Sequence, residues 1–291
     1  MKSTSRFTLP AVPAVLLSIV SVQGGAAIAK GLFPLLGPAG TTSLRVGISA
    51  LVLLLVVRPR LGRLSGAQWW AVVPYGLALG LMNLLFYYAL ARIPLGLAVT
   101  LEFIGPLGLA LAGSRRWGDV VWALLAAAGI ALIAPWQGQG LDWLGVVFAL
   151  AAGGCWAVYI VLGQRTAAVL PGQQAVAIGM LFAALPVLPL GLAGGSLAGL
   201  TPHLLLLGAL LALFSSVLPF SLEMQALRTL PTRTFSILMS LEPVAAALSG
   251  GLLLGERLLP AQWLAVGLIV VASVGATLTT KPVGPVALGG E

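Results

Sequence analysis

Charge is what this chain has least of. Only 8% of its 291 residues are Asp, Glu, Lys or Arg, against about a quarter in soluble domains, and a water-soluble globule has no means of solvating such a surface. Cysteine occurs once, at Cys155, which excludes an intramolecular disulfide. Histidine also occurs once, at His203, so no His/Cys metal cluster of familiar spacing can be assembled. Neither residue has a partner in sequence that would make it a nucleophile or a base, and both read as structural. A P-loop, a nucleotide-binding glycine fingerprint and a Ser/His/Asp set are all missing, which excludes ATP-driven chemistry within this chain. No cofactor and no metal is expected. An intramembrane enzyme would need a nucleophile or metal set, and the chain offers none.

What is present is apolar. Hydrophobic residues make up 59% of the sequence, the mean hydropathy is +1.08, and apolar runs of about 20 residues recur, the length that crosses a bilayer as helix. The expectation is an all-α membrane protein. Ten spans can be drawn, at residues 11–33, 40–57, 67–90, 94–113, 120–136, 143–163, 174–192, 203–226, 234–254 and 261–280. The first has the look of a secretory signal, with Lys2 and Arg6 ahead of it and Ala27-Ile28-Ala29 at its end. It is read as a retained span, because a counterpart in the second half would otherwise be orphaned.

A net charge of +8 invites a nucleic-acid partner until the basic residues are placed. They cluster in joints between apolar runs. With the N-terminus inside, Lys2, Arg6, Arg58, Arg60, Arg63, Arg115, Arg116, Arg165, Arg228, Arg233 and Lys281 fall on the cytoplasmic side. Lys30, Arg45, Arg92 and Arg257 fall outside, a split of 11 to 4 that sets both termini in the cytoplasm. The partners implied are a lipid bilayer and a small solute, not nucleic acid.

The chain also echoes itself. Gly24-Gly25, Lys30 and Gly40 resemble Gly153-Gly154, Gln164 and Gly172. The run from Ala89 through Arg92 and Pro94 to Leu101-Glu102 resembles the run from Ala226 through Arg228 and Pro231 to Leu241-Glu242. Five spans per half is odd, so the second copy enters the membrane upside down. Residues 11–136 and 143–280 are expected to form two inverted five-helix repeats with a site near the midplane. The glycine pairs Gly76/Gly80 and Gly251/Gly255 have the spacing that lets helices pack closely.

Two carboxylates stand out. Glu102 and Glu242 each interrupt an apolar run near a proline, where burying a charge costs about 2.5–3.5 kcal/mol. A carboxylate that alternates between wet and dry surroundings can take up and release a proton, so both are candidates for proton coupling. Glu223 reads instead as an ion pair with Arg228 or Arg233 at the membrane edge. Lys30 and Arg45 either snorkel to the interface or turn inward, as a counter-ion for Glu102 or a clamp on a substrate carboxylate. Tyr87, Trp156 and Tyr159 are amphipathic groups in span interiors, Tyr87 and Trp156 suited to face an ammonium group. Gln23 and Asn83 can hydrogen-bond a small polar solute. Together Gln23, Lys30, Arg45, Asn83, Tyr87, Glu102, Trp156 and Tyr159 form the expected substrate site.

Several stretches resemble a known family. Ser21 to Gly25 and Lys30 to Pro34, Met82-Asn83 with Phe86-Tyr87, Ile93 to Gly96 with Leu101 to Phe103, Cys155 to Ala157, Leu218 to Met224, Leu230 to Phe235 and Leu241 to Pro243 are similar to members of the EamA type of the drug/metabolite transporter superfamily. The likeness runs over roughly residues 10–280. It implies ten spans in two inverted halves, a plasma-membrane location, and proton-driven export of threonine, homoserine or similar small amino acids. Export of drugs or other metabolites on the same scaffold is the alternative it leaves open.

Overall fold

The computed structural model describes residues 10–112, 117–133, 142–194, 199–227, 230 and 232–279. Regular structure among them is entirely helical. Helix α1 (Ala11–Val57) would be about 70 Å long if straight, more than twice the hydrocarbon thickness of a bilayer. It is not straight. Pro38 has no N–H to offer and its ring crowds the carbonyl four residues back, while Gly37 takes φ 64° and ψ 170°, a conformation that side chains resist. Just past the break Thr41, Thr42 and Ser43 donate back to the carbonyls of Gly37, Pro38 and Ala39 at 2.7–2.8 Å, which ties down the first turn of the second segment. The segments on either side, 11–36 and 38–57, correspond to the first two expected spans.

A short 3-10 turn (Leu61–Arg63) leads to α2 (Gly66–Leu90), opened by a reciprocal cap between Ser65 and Gln68. Then come α3 (Leu95–Glu102) and α4 (Ile104–Ala112), which meet at Phe103, and α5 (Trp117–Ile133). The second half holds α6 (Trp143–Val169), capped by Asp142, then α7 (Gly172–Ala193) and α8 (Pro202–Ala212). A π-helical turn (Leu213–Val217) passes into α9 (Leu218–Leu227), and α10 (Thr232–Met239), α11 (Glu242–Leu254) and α12 (Pro260–Thr279) complete the chain.

Among the described residues six helices are long and apolar enough to cross a membrane, fewer than the ten spans expected. The difference has physical sources. Two expected spans run together in α1, and those at residues 94–113, 120–136 and 203–226 appear as apolar helices too short to qualify by length. Large apolar side chains are exposed on the outer surface, Leu35, Val56, Leu124, Leu252 and Trp70 among them.

Close approach of helices depends on small residues. A Cβ on Gly76 or Gly80 of α2 would strike the Gly179 or Ala183 carbonyl of α7, as the spacing of that pair led one to expect. The pair Gly251/Gly255 does something else. Gly251 is exposed, and Gly255, at φ 66°, is the left-handed cap that ends α11. At the centre lies α3, with all eight residues buried, packed against α6 and α11.

Candidate functional site

The two carboxylates singled out in the sequence sit at two helix breaks. Pro106 cannot donate to the carbonyl of Glu102, the fourth residue before it, and α3 ends at Glu102 while α4 starts two residues later. Pro243 likewise withholds a donor from Met239, where α10 ends, and α11 starts at Glu242. Both acids are only 7% exposed. They face the interior rather than the lipid headgroups.

The breaks are brought together by antiparallel packing of α3 on α11. Gly96 lies so close to Ala247 that a Cβ there would meet the Ala247 backbone, and Leu95 lies against Gly250. Contacts thus run backwards along α11 as they run forwards along α3, and at the far end Glu102 and Glu242 act on one another electrostatically. Glu223 joins them. It lies beside the Ser18 hydroxyl and within electrostatic reach of Glu242 and Tyr159, so it belongs to the interior group and not to the membrane edge. Its expected partner Arg228 lies outside the described residues, as does the side chain of Arg233. On the other side of Glu102, α4 and α6 nearly touch: a Cβ on Gly153 would run into the Glu102 carbonyl, and one on Gly105 into Gly153.

Arg45 supplies the positive charge of this region. Its Nη1 donates to the Tyr87 hydroxyl at 2.9 Å, Nη2 to the Ser215 carbonyl at 3.2 Å, and Nε to the Ser216 hydroxyl at 3.3 Å. The guanidinium also lies over the Tyr87 ring, 5.4 Å from its centre. Every one of these partners is neutral. Arg45 forms no ion pair among the described residues, although its charge reaches Glu102 through space. Both serines sit on the π-helical turn, a distortion that π-turns often introduce at functional sites, and here it puts a carbonyl and a hydroxyl of adjacent residues on one guanidinium. Ser215 and Ser216 carried no expectation from sequence, and their adjacency in an apolar span was the one available signal.

The other expected site residues divide. Tyr87 is fully buried, and its ring face and hydroxyl are both taken by Arg45; it holds the cation rather than presenting a free face to an ammonium. Trp156 stands edge-on to Phe103 at 5.5 Å, beside the first break. Tyr159 stacks on Tyr75 at 4.9 Å, their hydroxyls 3.2 Å apart. Asn83 is buried and donates to its own helix at the Leu79 carbonyl, 2.8 Å away. Gln23 is buried with its Oε1 unpaired. Lys30 is not brought to Glu102. Its Nζ lies 2.7 Å from both the Ile93 carbonyl and Glu256 Oε1, at the opposite end of α3, which leaves Arg45 as the one of the two expected cations whose charge reaches Glu102. Glu256 carried no expectation at all.

Outside the apolar region, Arg92 pairs with Asp142 at 2.6 Å. The Arg92 hydrogen bond, helped by the Leu144 and Gly145 amides at the start of α6, holds the Asp142 carboxyl below its ordinary range. No cluster of three metal-ligating side chains occurs among the described residues.

Known proteins resemble this chain over most of its length. The threonine/homoserine exporter RhtA of Escherichia coli (strain K12) is 47% identical over 270 residues, 92% of this chain and 91% of its own length. The protein of the same name from Salmonella typhimurium (strain LT2) is 46% identical over the same coverage. A guanidinium exporter of Citrobacter freundii is 35% identical over 82 residues, 28% of this chain and 72% of its own length. One crystal structure, 20% identical and matched over 93% of this chain and 98% of that one, has a TM-score of 0.59 and shares the fold. The model of the EamA-like transporter family matches residues 143–278. These relatives are transporters and not enzymes, and the chain belongs to the EamA-like transporter family.

Proposed function

We propose that this chain exports threonine, homoserine or similar small amino acids across the bacterial inner membrane by alternating access, coupled to the proton gradient. It does so as ten spans in two inverted halves, residues 11–136 and 143–280. The near-full-length likeness to threonine/homoserine exporters supports the substrate class. The family model spans one half alone, and each half contains a helix broken beside a glutamate, which supports the repeat. The clustering of basic residues in the joints supports an orientation with both termini in the cytoplasm and the end carrying Lys30, Arg92, Asp142 and Glu256 outside.

The observation that carries the chemistry is Arg45, a cation in an apolar interior held only by neutral acceptors. Such a group retains its charge for a ligand. A zwitterion would set its carboxylate on Arg45, whose planar fork suits that partner, and its ammonium toward Glu102 and Glu242. Trp156 would wall the ammonium side. Gln23 and Asn83 would meet the substrate hydroxyl, with the unpaired Gln23 oxygen as acceptor. In each cycle Glu102, with Glu242, would take a proton from outside as the substrate leaves and surrender it inside as the next substrate binds.

Efflux of labelled threonine from loaded vesicles tests this. Arg45→Lys should raise the KM at least tenfold, and Glu102→Gln should abolish dependence on the proton gradient. Wild-type kinetics in Arg45→Lys would remove the carboxylate clamp, and gradient-driven efflux at the normal rate in Glu102→Gln would remove the proton role. Export of other metabolites is the second reading, favoured by the partial likeness to a guanidinium exporter. A cationic substrate would be repelled by Arg45, so efflux of guanidinium in preference to threonine would decide for it.

A further inference from the structure

We propose that Glu256 is a positioning residue for transport, latching α3 to the second half of the chain at the end remote from the acids. Its release from Lys30 and from the start of α3 opens that end in each cycle. This rests on the alternating-access reading above. Both oxygens of Glu256 are committed. Oε1 pairs with Lys30 Nζ at 2.7 Å, and Oε2 accepts the Leu95 N–H at 2.8 Å. Lys30 also donates to the Ile93 carbonyl. One carboxylate therefore ties the joint after α11 to α1 and to the start of α3, and Lys30 adds the joint between α2 and α3.

The backbone is shaped to deliver this side chain. Gly255 takes φ 66°, and the Glu256 N–H turns back to the Gly250 carbonyl at 3.1 Å, closing the end of α11. Gly250 in turn has no Cβ, and one placed there would collide with Glu256 Oε2. At the N-terminus of α3 the carboxylate meets an N–H that has no partner within the helix and the positive end of its dipole.

Two further facts give the latch a part in the cycle. The Lys30 and Glu256 side chains keep 23% and 14% exposure, so the pair is not sealed within the packed interior and can separate. The element it holds, α3, is a fully buried rod about 11 Å long with Glu102 at its other end. Tilting of its first turn moves the acid. At the opposite end, α4 packs on α6 and α12, and α10 on α1 and α12, with no comparable packing between α4 and α10 among the described residues.

The test is a cysteine at Leu95, which is fully buried, in a Cys155→Ala chain. Alkylation by a membrane-impermeant maleimide is followed in sealed vesicles of both orientations, with and without threonine. With Glu256 present, labelling should be slow from either side and should change when threonine drives cycling. Glu256→Ala should raise the rate at least tenfold from one side and remove the response to threonine. Gly250→Ala, which keeps the charge but crowds the carboxylate, should raise it less. Glu256→Gln should lower the maximal rate of efflux with KM unchanged, a split that mere misfolding does not produce. Equal labelling rates with and without Glu256, in protein that is monodisperse in detergent, would overturn the latch even if threonine efflux is normal. Failure of the parent protein to export threonine would sink the substrate reading instead, and the labelling contrast would still decide the latch.

Discussion

The central crossing is built on one motif, a glutamate at a proline-broken helix, contributed once by each half, yet the helices on its two sides are held differently. Above the acids, α3 lies on α11 with Gly96 against Ala247 and Glu256 clamped between Lys30 and the Leu95 amide. Below them, α4 and α10 each pack on α12. In α4 a Cβ on Gly108 would meet nothing. A carrier needs one end shut while the other gives way, and here the shut end is the one with an ion pair. The contrast is mechanical, and substitutions can break it.

The largest effect should come from a wedge. Gly96→Val forces a branched side chain into the Ala247 backbone, where nothing flexible can yield. Overpacking of this kind costs about 1–3 kcal/mol or more, and efflux should fall more than tenfold. Gly108→Val makes the same chemical change below the acids and should shift thermal stability by less than about 0.5 kcal/mol. Equal damage at both positions, measured by unfolding in detergent and threonine efflux, would erase the distinction between the ends.

Next is the ion pair. Lys30→Met leaves the Glu256 charge in a mostly buried place with only the Leu95 amide, at a cost of about 3 kcal/mol, the low end for a buried charge stripped of its partner. Adding Glu256→Gln removes that orphan charge. The double variant should therefore be more stable than Lys30→Met alone, with a coupling of about 2 kcal/mol in the cycle. Strictly additive losses would mean that the two side chains do not hold each other.

Much of this was legible before any coordinates, and what was not has definite causes. Glu102 and Glu242 announced themselves because a carboxylate in an apolar run beside a proline has few structural uses. Arg45 was visible as a cation in or at the end of a span, but whether it snorkels or turns inward was not legible. The break at Gly37 lies between Pro34 and Pro38, and the sequence marks it as an end of span. Lys30 was visible but its partner was not: Glu256 is 226 residues away, and sequence alone carries no measure of that proximity. Tyr87 was taken for a ligand surface because a ring face looks free until something is found on it. The π-turn was out of reach altogether, since one residue of extra helical register at Ser215 and Ser216 leaves no mark on composition or periodicity.

That turn offers the third way to sharpen the comparison, because it acts at the acids and not at either end. Ser216→Ala removes one long hydrogen bond to Arg45 and keeps the two to Tyr87 and Ser215. About 1 kcal/mol is expected, read as a roughly fivefold rise in the KM for threonine with no change in labelling at Leu95. A change in labelling without one in KM would assign the π-turn to the latch instead.

The smallest effect should be at Asp142, which shares the tied end with Glu256 but lies in water. Its pairing with Arg92 and its cap on α6 favour the carboxylate in the folded protein, so its folded pKa is lowered. The sign follows from linkage: the stabilisation is complete above the ordinary aspartate pKa of about 3.9 and is lost as pH falls below that toward the lowered folded value. Asp142→Asn preserves the cap, since asparagine caps as well as aspartate, and removes the charge. It should leave efflux and Leu95 labelling unchanged at neutral pH and flatten the acid limb of thermal stability. Should Asp142→Asn instead speed labelling at Leu95 as much as Glu256→Ala does, the outer end would be held by the sum of its ion pairs, and no single carboxylate could be singled out as its latch.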